Sequence, residues 1–223
     1  MSKLPIIYNR NFKADTLLDK INIFKEFLKF QPFIILARPN KLVYEDESEK
    51  IKFIQKLKFI IDKGCINIEI PWEDNANWLD LMSDLKSNFP NIQIGSASLL
   101  NKKSIDDSLK VGLNFSMMRF WQKDLYIYSK KNNYLLVPGL TNFKQFKDAI
   151  ACNCKIIKIF PIIDKDISLD INKYKEITFI AAGGIAIKDL EKFKLLNFKG
   201  IVIGGKGYDG DKFDHEIFKY LKK

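Results

Sequence analysis

Two short apolar runs in this 223-residue chain each carry one charge that a buried strand has no ordinary use for. In CINIEI, residues 65–70, Ile66, Ile68 and Ile70 share one parity of an extended strand, and Cys65, Asn67 and Glu69 share the other. In KIIKIF, residues 155–160, Ile156, Lys158 and Phe160 share a parity, with Ile157 and Ile159 opposite. An amine held among apolar neighbours has its charged form disfavoured, so its pKa falls and it becomes a usable nucleophile toward a carbonyl carbon. A carboxylate in the same cavity can carry the proton transfers that imine chemistry needs. The ordinary alternatives are a solvated strand-end Glu69 and a Lys158 that snorkels to the rim.

Positioning such a pair requires a scaffold, and the apolar patterning predicts one. Strand-like runs fall at 33–38, 66–70, 91–95, 113–117, 134–139, 155–160, 177–184 and 199–205. Helix-period segments lie between them at 45–63, 74–88, 102–110, 121–132, 142–150, 167–175 and 188–196, several with Asp or Ser near the start as N-caps. Eight strands at a repeat of about 25 residues predict an α/β fold, a (β/α)8 TIM barrel. Glu69 then points inward and Lys158 sits near the end of its strand that faces a barrel's active site. An extra N-terminal helix is predicted over 11–30, with Phe12, Leu17, Leu18, Ile21, Ile23, Phe24, Phe27 and Leu28 as its apolar stripe. A doubly wound open sheet fits the same alternation, but no dinucleotide fingerprint accompanies it. No linker or low-complexity tract divides the chain, so one domain over 1–223 is expected, with 1–30 as its helical extension.

Composition removes other chemistries. Lys and Arg number 37 against 27 Asp and Glu, a formal charge of +10, yet the lysines are scattered along helices such as EKIKFIQKLKFIIDK rather than massed. No nucleic-acid partner is expected from that pattern. Charged residues interrupt every apolar run before it reaches about 18 residues, and the N-terminus carries no cleavage signal, so no membrane span and a cytoplasmic location are expected. Cys65, Cys152 and Cys154 make no disulfide framework. The single histidine, His215, leaves neither a zinc cluster nor a Ser-His-Asp triad in prospect. No metal and no cofactor are expected, and acid–base work falls to carboxylates, lysines or tyrosines.

The runs IEI (68–70), GSAS (95–98), VPGLT (137–141), IKIFP (157–161), AAGGI (181–185) and IGG (203–205) resemble, in order, the marks of the KDPG aldolase family. These are class I aldolases of 2-dehydro-3-deoxy-6-phosphogluconate, many of which also cleave 4-hydroxy-2-oxoglutarate. The resemblance implies a (β/α)8 barrel, a homotrimer, no catalytic metal, and a small 2-oxo acid substrate, phosphorylated or not. Carried over by residue, Lys158 matches the lysine that forms the Schiff base with pyruvate, and Glu69 the glutamate that shuttles protons. Arg38 matches an arginine after the first strand that helps hold the carboxylate, and Ser98 stands for a family threonine. Gly183 and Gly184 match the phosphate loop after the seventh strand, Gly204 and Gly205 the loop after the eighth. Independently of the family, glycines after the last two strands are where barrels commonly cradle phosphate.

Departures fall in the binding shell. Ala182 replaces a threonine before the double glycine, and Ser116-Met117-Met118 replaces an SPG-like turn at the pocket wall. Lys206 replaces a serine after the last glycine pair, adding a charge where a phosphate dianion would sit. An arginine that some members carry four residues after the glutamate is Glu73 here. Rival readings are a phosphosugar isomerase, epimerase or synthase on a similar barrel, which forms no imine, and a non-catalytic barrel that keeps only the ligand pocket.

Overall fold

The β-branched runs form strands because Ile, Val and Phe pack well on a pleated surface buried on both faces. In the computed structural model, which describes residues 14–162 and 170–221, they form one parallel sheet. Its strands are β1 (Phe33–Leu36), β2 (Asn67–Pro71), β3 (Gln93–Leu99), β4 (Phe115–Met118), β5 (Leu136–Val137), β6 (Gly139–Leu140), β7 (Ile156–Ile159), β8 (Thr178–Ala182) and β9 (Gly200–Ile203). Their order is β5-β4-β3-β2-β1-β9-β8-β7-β6. The sheet's two ends, β5 and β6, are successive pieces of one stretch separated by Pro138, so the sheet curls into a nearly closed TIM-like barrel.

The predicted fifth strand is therefore two. Pro138 has no N–H to give a ladder, which breaks the run. Its carbonyl still accepts from the Lys158 N–H at 2.9 Å, and that bond ties the broken strand to β7. Intervening helices are α1 (Leu17–Phe30), α2 (Glu47–Asp62), α3 (Ala76–Asn88), α4 (Lys102–Lys110), α5 (Lys123–Lys131), α6 (Phe143–Ala151) and α7 (Leu190–Leu195). Their caps are more often Asn than the expected Asp or Ser: Asn75, Asn101 and Asn142 accept from backbone N–H groups at the starts of α3, α4 and α6, and Asp46 does so for α2. Of the helix predicted at 167–175, residues 167–169 lie outside the described residues, and a single 3-10 turn occupies Ile171–Lys173.

Two apolar clusters divide the barrel by parity. Ile66, Ile68 and Ile70 join the outer cluster between strands and helices, whereas Ile34, Phe115, Ile156, Ile180 and Val202 fill the interior. The N-terminal helix plugs the interior from below. Ile21, Phe24 and Leu28 belong to the inner cluster and Leu17 packs against it, with the Phe24 and Phe115 rings 4.8 Å apart. Burying a ring of that size is worth roughly 1.5–3 kcal/mol. The predicted stripe is otherwise split, since Phe27 faces the outer cluster, Leu18 is exposed and Phe12 lies outside the described residues. Asn67 Nδ2 donates to the Gln31 carbonyl at 2.9 Å, and Gln31 Oε1 accepts from the Ile66 N–H at 2.8 Å, fixing the end of α1 against β2. A plugged floor leaves the opposite end of the strands as the open mouth.

Candidate active site

At that mouth the strand ends enclose a cavity of about 350 Å³. The residues matched to catalytic and binding roles all line it: Lys158, Glu69, Arg38, Ser98, Gly183, Gly184, Gly204, Gly205 and Lys206. The two charged strand residues come from opposite walls, Glu69 from β2 and Lys158 from β7. Both are buried, Glu69 at 1% exposure and Lys158 at 6%. Burial has settled the parity question in favour of inward-facing side chains, and neither snorkels to solvent.

The electrostatics follow from that burial. Desolvation pushes the Lys158 amine below the ordinary lysine value; the Glu69 charge opposes this and the Arg38 charge adds to it. Desolvation likewise pushes the Glu69 carboxyl up, against the attraction of Lys158 and Arg38. Among the described residues no ion pair joins the two, and Glu69 Oε2 makes no hydrogen bond within the protein. Both shifts run toward the uncharged forms, a free amine facing a carboxylic acid. That is the combination needed to add an amine to a carbonyl and then protonate the departing oxygen.

Local backbone geometry builds the rest of the wall. Strand alternation would turn Ser98 away from the cavity, because Ala97 points inward. A register shift between Ser96 and Leu99 and a left-handed φ of 62° at Ser98 bring its hydroxyl to the cavity instead. Such a conformation costs a non-glycine residue about 1–3 kcal/mol and persists only where its surroundings enforce it. After β8, Gly183 adopts φ 107°, and a Cβ there would lie 2.9 Å from Pro161 Cα, so no other residue fits. After β9, a turn closed by the Gly207 N–H on the Gly204 carbonyl at 2.7 Å carries Gly205 and Lys206 at its tip. Paired glycine turns expose backbone N–H groups of the kind that cradle phosphate.

A family model described as KDPG and KHG aldolase matches residues 40–213. The chain belongs to the KDPG and KHG aldolase family. As an aldolase it is a carbon–carbon lyase. No curated protein sequence matches it. Among solved structures it is similar to the KDPG aldolase of Legionella pneumophila with pyruvate captured as a covalent carbinolamine, at 17% identity over 87% of this chain and 90% of that one, TM-score 0.69. It is similar also to the 2-keto-3-deoxy-6-phospho-gluconate aldolase of Zymomonas mobilis, at 16% identity over 88% and 94%, TM-score 0.71. The N-acetylmannosamine-6-phosphate 2-epimerase of Clostridium perfringens shares the fold at 14% identity over 88% and 93%, TM-score 0.63.

In this aldolase the departures from the family pattern sort by position. Met117 joins the barrel interior and Met118 the outer cluster, and neither lines the cavity, so the loss expected at the pocket wall does not fall there. Ala182 and Lys206 do line it. Trp72 is buried in the outer cluster with its indole N–H donating to Asp107 at 3.1 Å, which makes it a packing residue. The Tyr208 hydroxyl donates to the Gly210 carbonyl at 2.9 Å, which braces the C-terminal turn. One charged cavity residue was missed from sequence: Arg119, the first residue after β4. Phe115, Met117 and Arg119 share one parity, and the interior placement of the first two carries the alternation on to Arg119.

Proposed function

We propose that this chain is a class I aldolase that cleaves 2-dehydro-3-deoxy-6-phosphogluconate to pyruvate and glyceraldehyde 3-phosphate, and 4-hydroxy-2-oxoglutarate to pyruvate and glyoxylate, through a Schiff base on Lys158. The observation that carries this reading is the buried amine facing a buried carboxyl across one cavity of about 350 Å³, with no ion pair between them among the described residues. Lys158 Nζ adds to C2 of the 2-oxo acid, and Glu69 protonates the carbinolamine oxygen, which leaves as water to give the protonated imine. Glu69, left as the carboxylate, takes the C4 hydroxyl proton as the C3–C4 bond breaks. The electron pair moves to the imine nitrogen, the aldehyde departs, and an enamine of pyruvate remains. Protonation at C3 and hydrolysis return pyruvate and the free amine. Arg38, Ser98 and the two glycine turns serve as the substrate-binding shell, no cofactor takes part, and the working form is a homotrimer.

Lys206 sets the preference between the two acids. Lys206 lies at the cavity on the tip of the last glycine turn, and its side chain turned inward adds a positive charge to backbone donors. Ala182 removes one hydroxyl, and charge-assisted hydrogen bonds are roughly twice as strong as neutral ones. The phosphorylated six-carbon acid is therefore expected to show the higher kcat/KM. Pyruvate release from each acid, measured on wild type and Lys206→Ser, tests this. A preference for the unphosphorylated acid that the substitution leaves unchanged contradicts it.

A further inference from the structure

Arg119 lines the catalytic cavity and none of the steps above gives it a task. Its placement is built. A Cβ on Gly139 would approach the carbonyl oxygens of Met118 and Arg119 to 2.6 Å, so the glycine allows the end of β4 to press against β6. Gly139 is in turn the register partner of Lys158 in β7. One glycine thus couples the arginine's backbone to the strand that carries the amine. The guanidinium stands 5.3 Å from the Phe120 ring centroid, and that ring lies 6.5 Å from the ring of Phe160, two residues beyond Lys158. Among the described residues Arg119, exposed at the rim of the mouth, makes no ion pair.

The order of strands around the barrel tells which part of a ligand that charge would meet. Lys158 on β7 and Glu69 on β2 face each other across one diameter of the mouth. The glycine turns follow β8 and β9, and Arg38 follows β1, which is the neighbour of β9. Ser98 and Arg119, at the ends of β3 and β4, stand across the other diameter. A 2-oxo acid joined to Lys158 at C2 has two arms, its carboxylate and its C3 chain. The glycine turns with Lys206 take the anion at the far end of the chain, so the carboxylate points the other way.

We propose that Arg119, with the Ser98 hydroxyl, is the carboxylate anchor of the 2-oxo acid and so fixes which arm of the bound substrate faces the glycine turns. This rests on the reading of Lys158 as the imine lysine. A guanidinium suits the role because its planar fork can meet both carboxylate oxygens at once. The residue four beyond the glutamate, Glu73, is not a cavity residue and carries the wrong charge for a carboxylate.

The test compares a charged and an uncharged ketone, pyruvate and hydroxyacetone, in borohydride trapping on wild type, Arg119→Met, Arg119→Lys and Arg38→Met. Loss of a charge-assisted hydrogen-bonded pair should raise the pyruvate concentration for half-maximal trapping about 10- to 100-fold in Arg119→Met. Hydroxyacetone should be trapped as in wild type, and Arg119→Lys should recover part of the pyruvate response. An equal loss for both ketones, no loss, or a larger pyruvate shift in Arg38→Met overturns the assignment. Calorimetric titration of pyruvate separates this from the imine reading. If wild type traps neither ketone, the imine reading falls, and an unchanged pyruvate affinity in Arg119→Met would still overturn the anchor.

Discussion

A Lys158→Ala variant is expected to retain less than about a thousandth of wild-type pyruvate release and to form no reducible adduct, because a covalent nucleophile has no partial substitute. Lys206 is the other lysine at the cavity, but it sits exposed on a turn. The loss should not come from unfolding. A desolvated amine is a cost to the fold, so Lys158→Met, which keeps the length and removes the buried polar group, should melt at or above the wild-type temperature while remaining inactive. Thermal unfolding and pyruvate release on the same samples check both halves. An active Lys158→Met removes the mechanism.

Glu69→Gln should leave the nucleophile in place and slow turnover by roughly 10²–10⁴, the usual worth of a positioned acid–base group. The pH dependence carries the sharper sign. Burial lowers the Lys158 pKa and raises that of Glu69, so the two titrate as a pair sharing one proton in the reactive state. Falling pH adds the second proton and removes the amine nucleophile. Rising pH removes the shared proton and leaves no acid for the carbinolamine oxygen. Imine formation in wild type is therefore bell-shaped. In Glu69→Gln the alkaline fall should vanish and the rate should climb until the amine is fully deprotonated. Stopped-flow rates of imine formation across pH decide it, and a Glu69→Gln profile that keeps both limbs makes Glu69 a bystander.

The barrel was legible because most strands are apolar runs bounded by polar helix starts, and because period-two parity carries into the two clusters. Parity also placed Glu69 and Lys158, whose neighbours Ile68, Ile70, Ile157 and Ile159 all pack outward. The break at Pro138 was harder to see, since VPG is compatible with a strand end as well as with an interruption. Ser98 shows where parity fails: a bulge and a left-handed residue turn it, and only the family resemblance placed it at the cavity. Arg119 was hidden for a different reason. In a chain with 37 Lys and Arg, one arginine past a strand end looks like surface, and only the interior position of Met117 shows that the alternation runs on to it.

The central claim is a covalent bond between Lys158 and a 2-oxo acid, and peptide mass mapping after borohydride reduction in the presence of pyruvate tests it most directly. An imine at Lys158 predicts a single adduct, equal to pyruvate joined through its reduced imine, on the peptide that contains Lys158. Unmodified protein, or an adduct on Lys206 or any other lysine with Lys158 free, would contradict it.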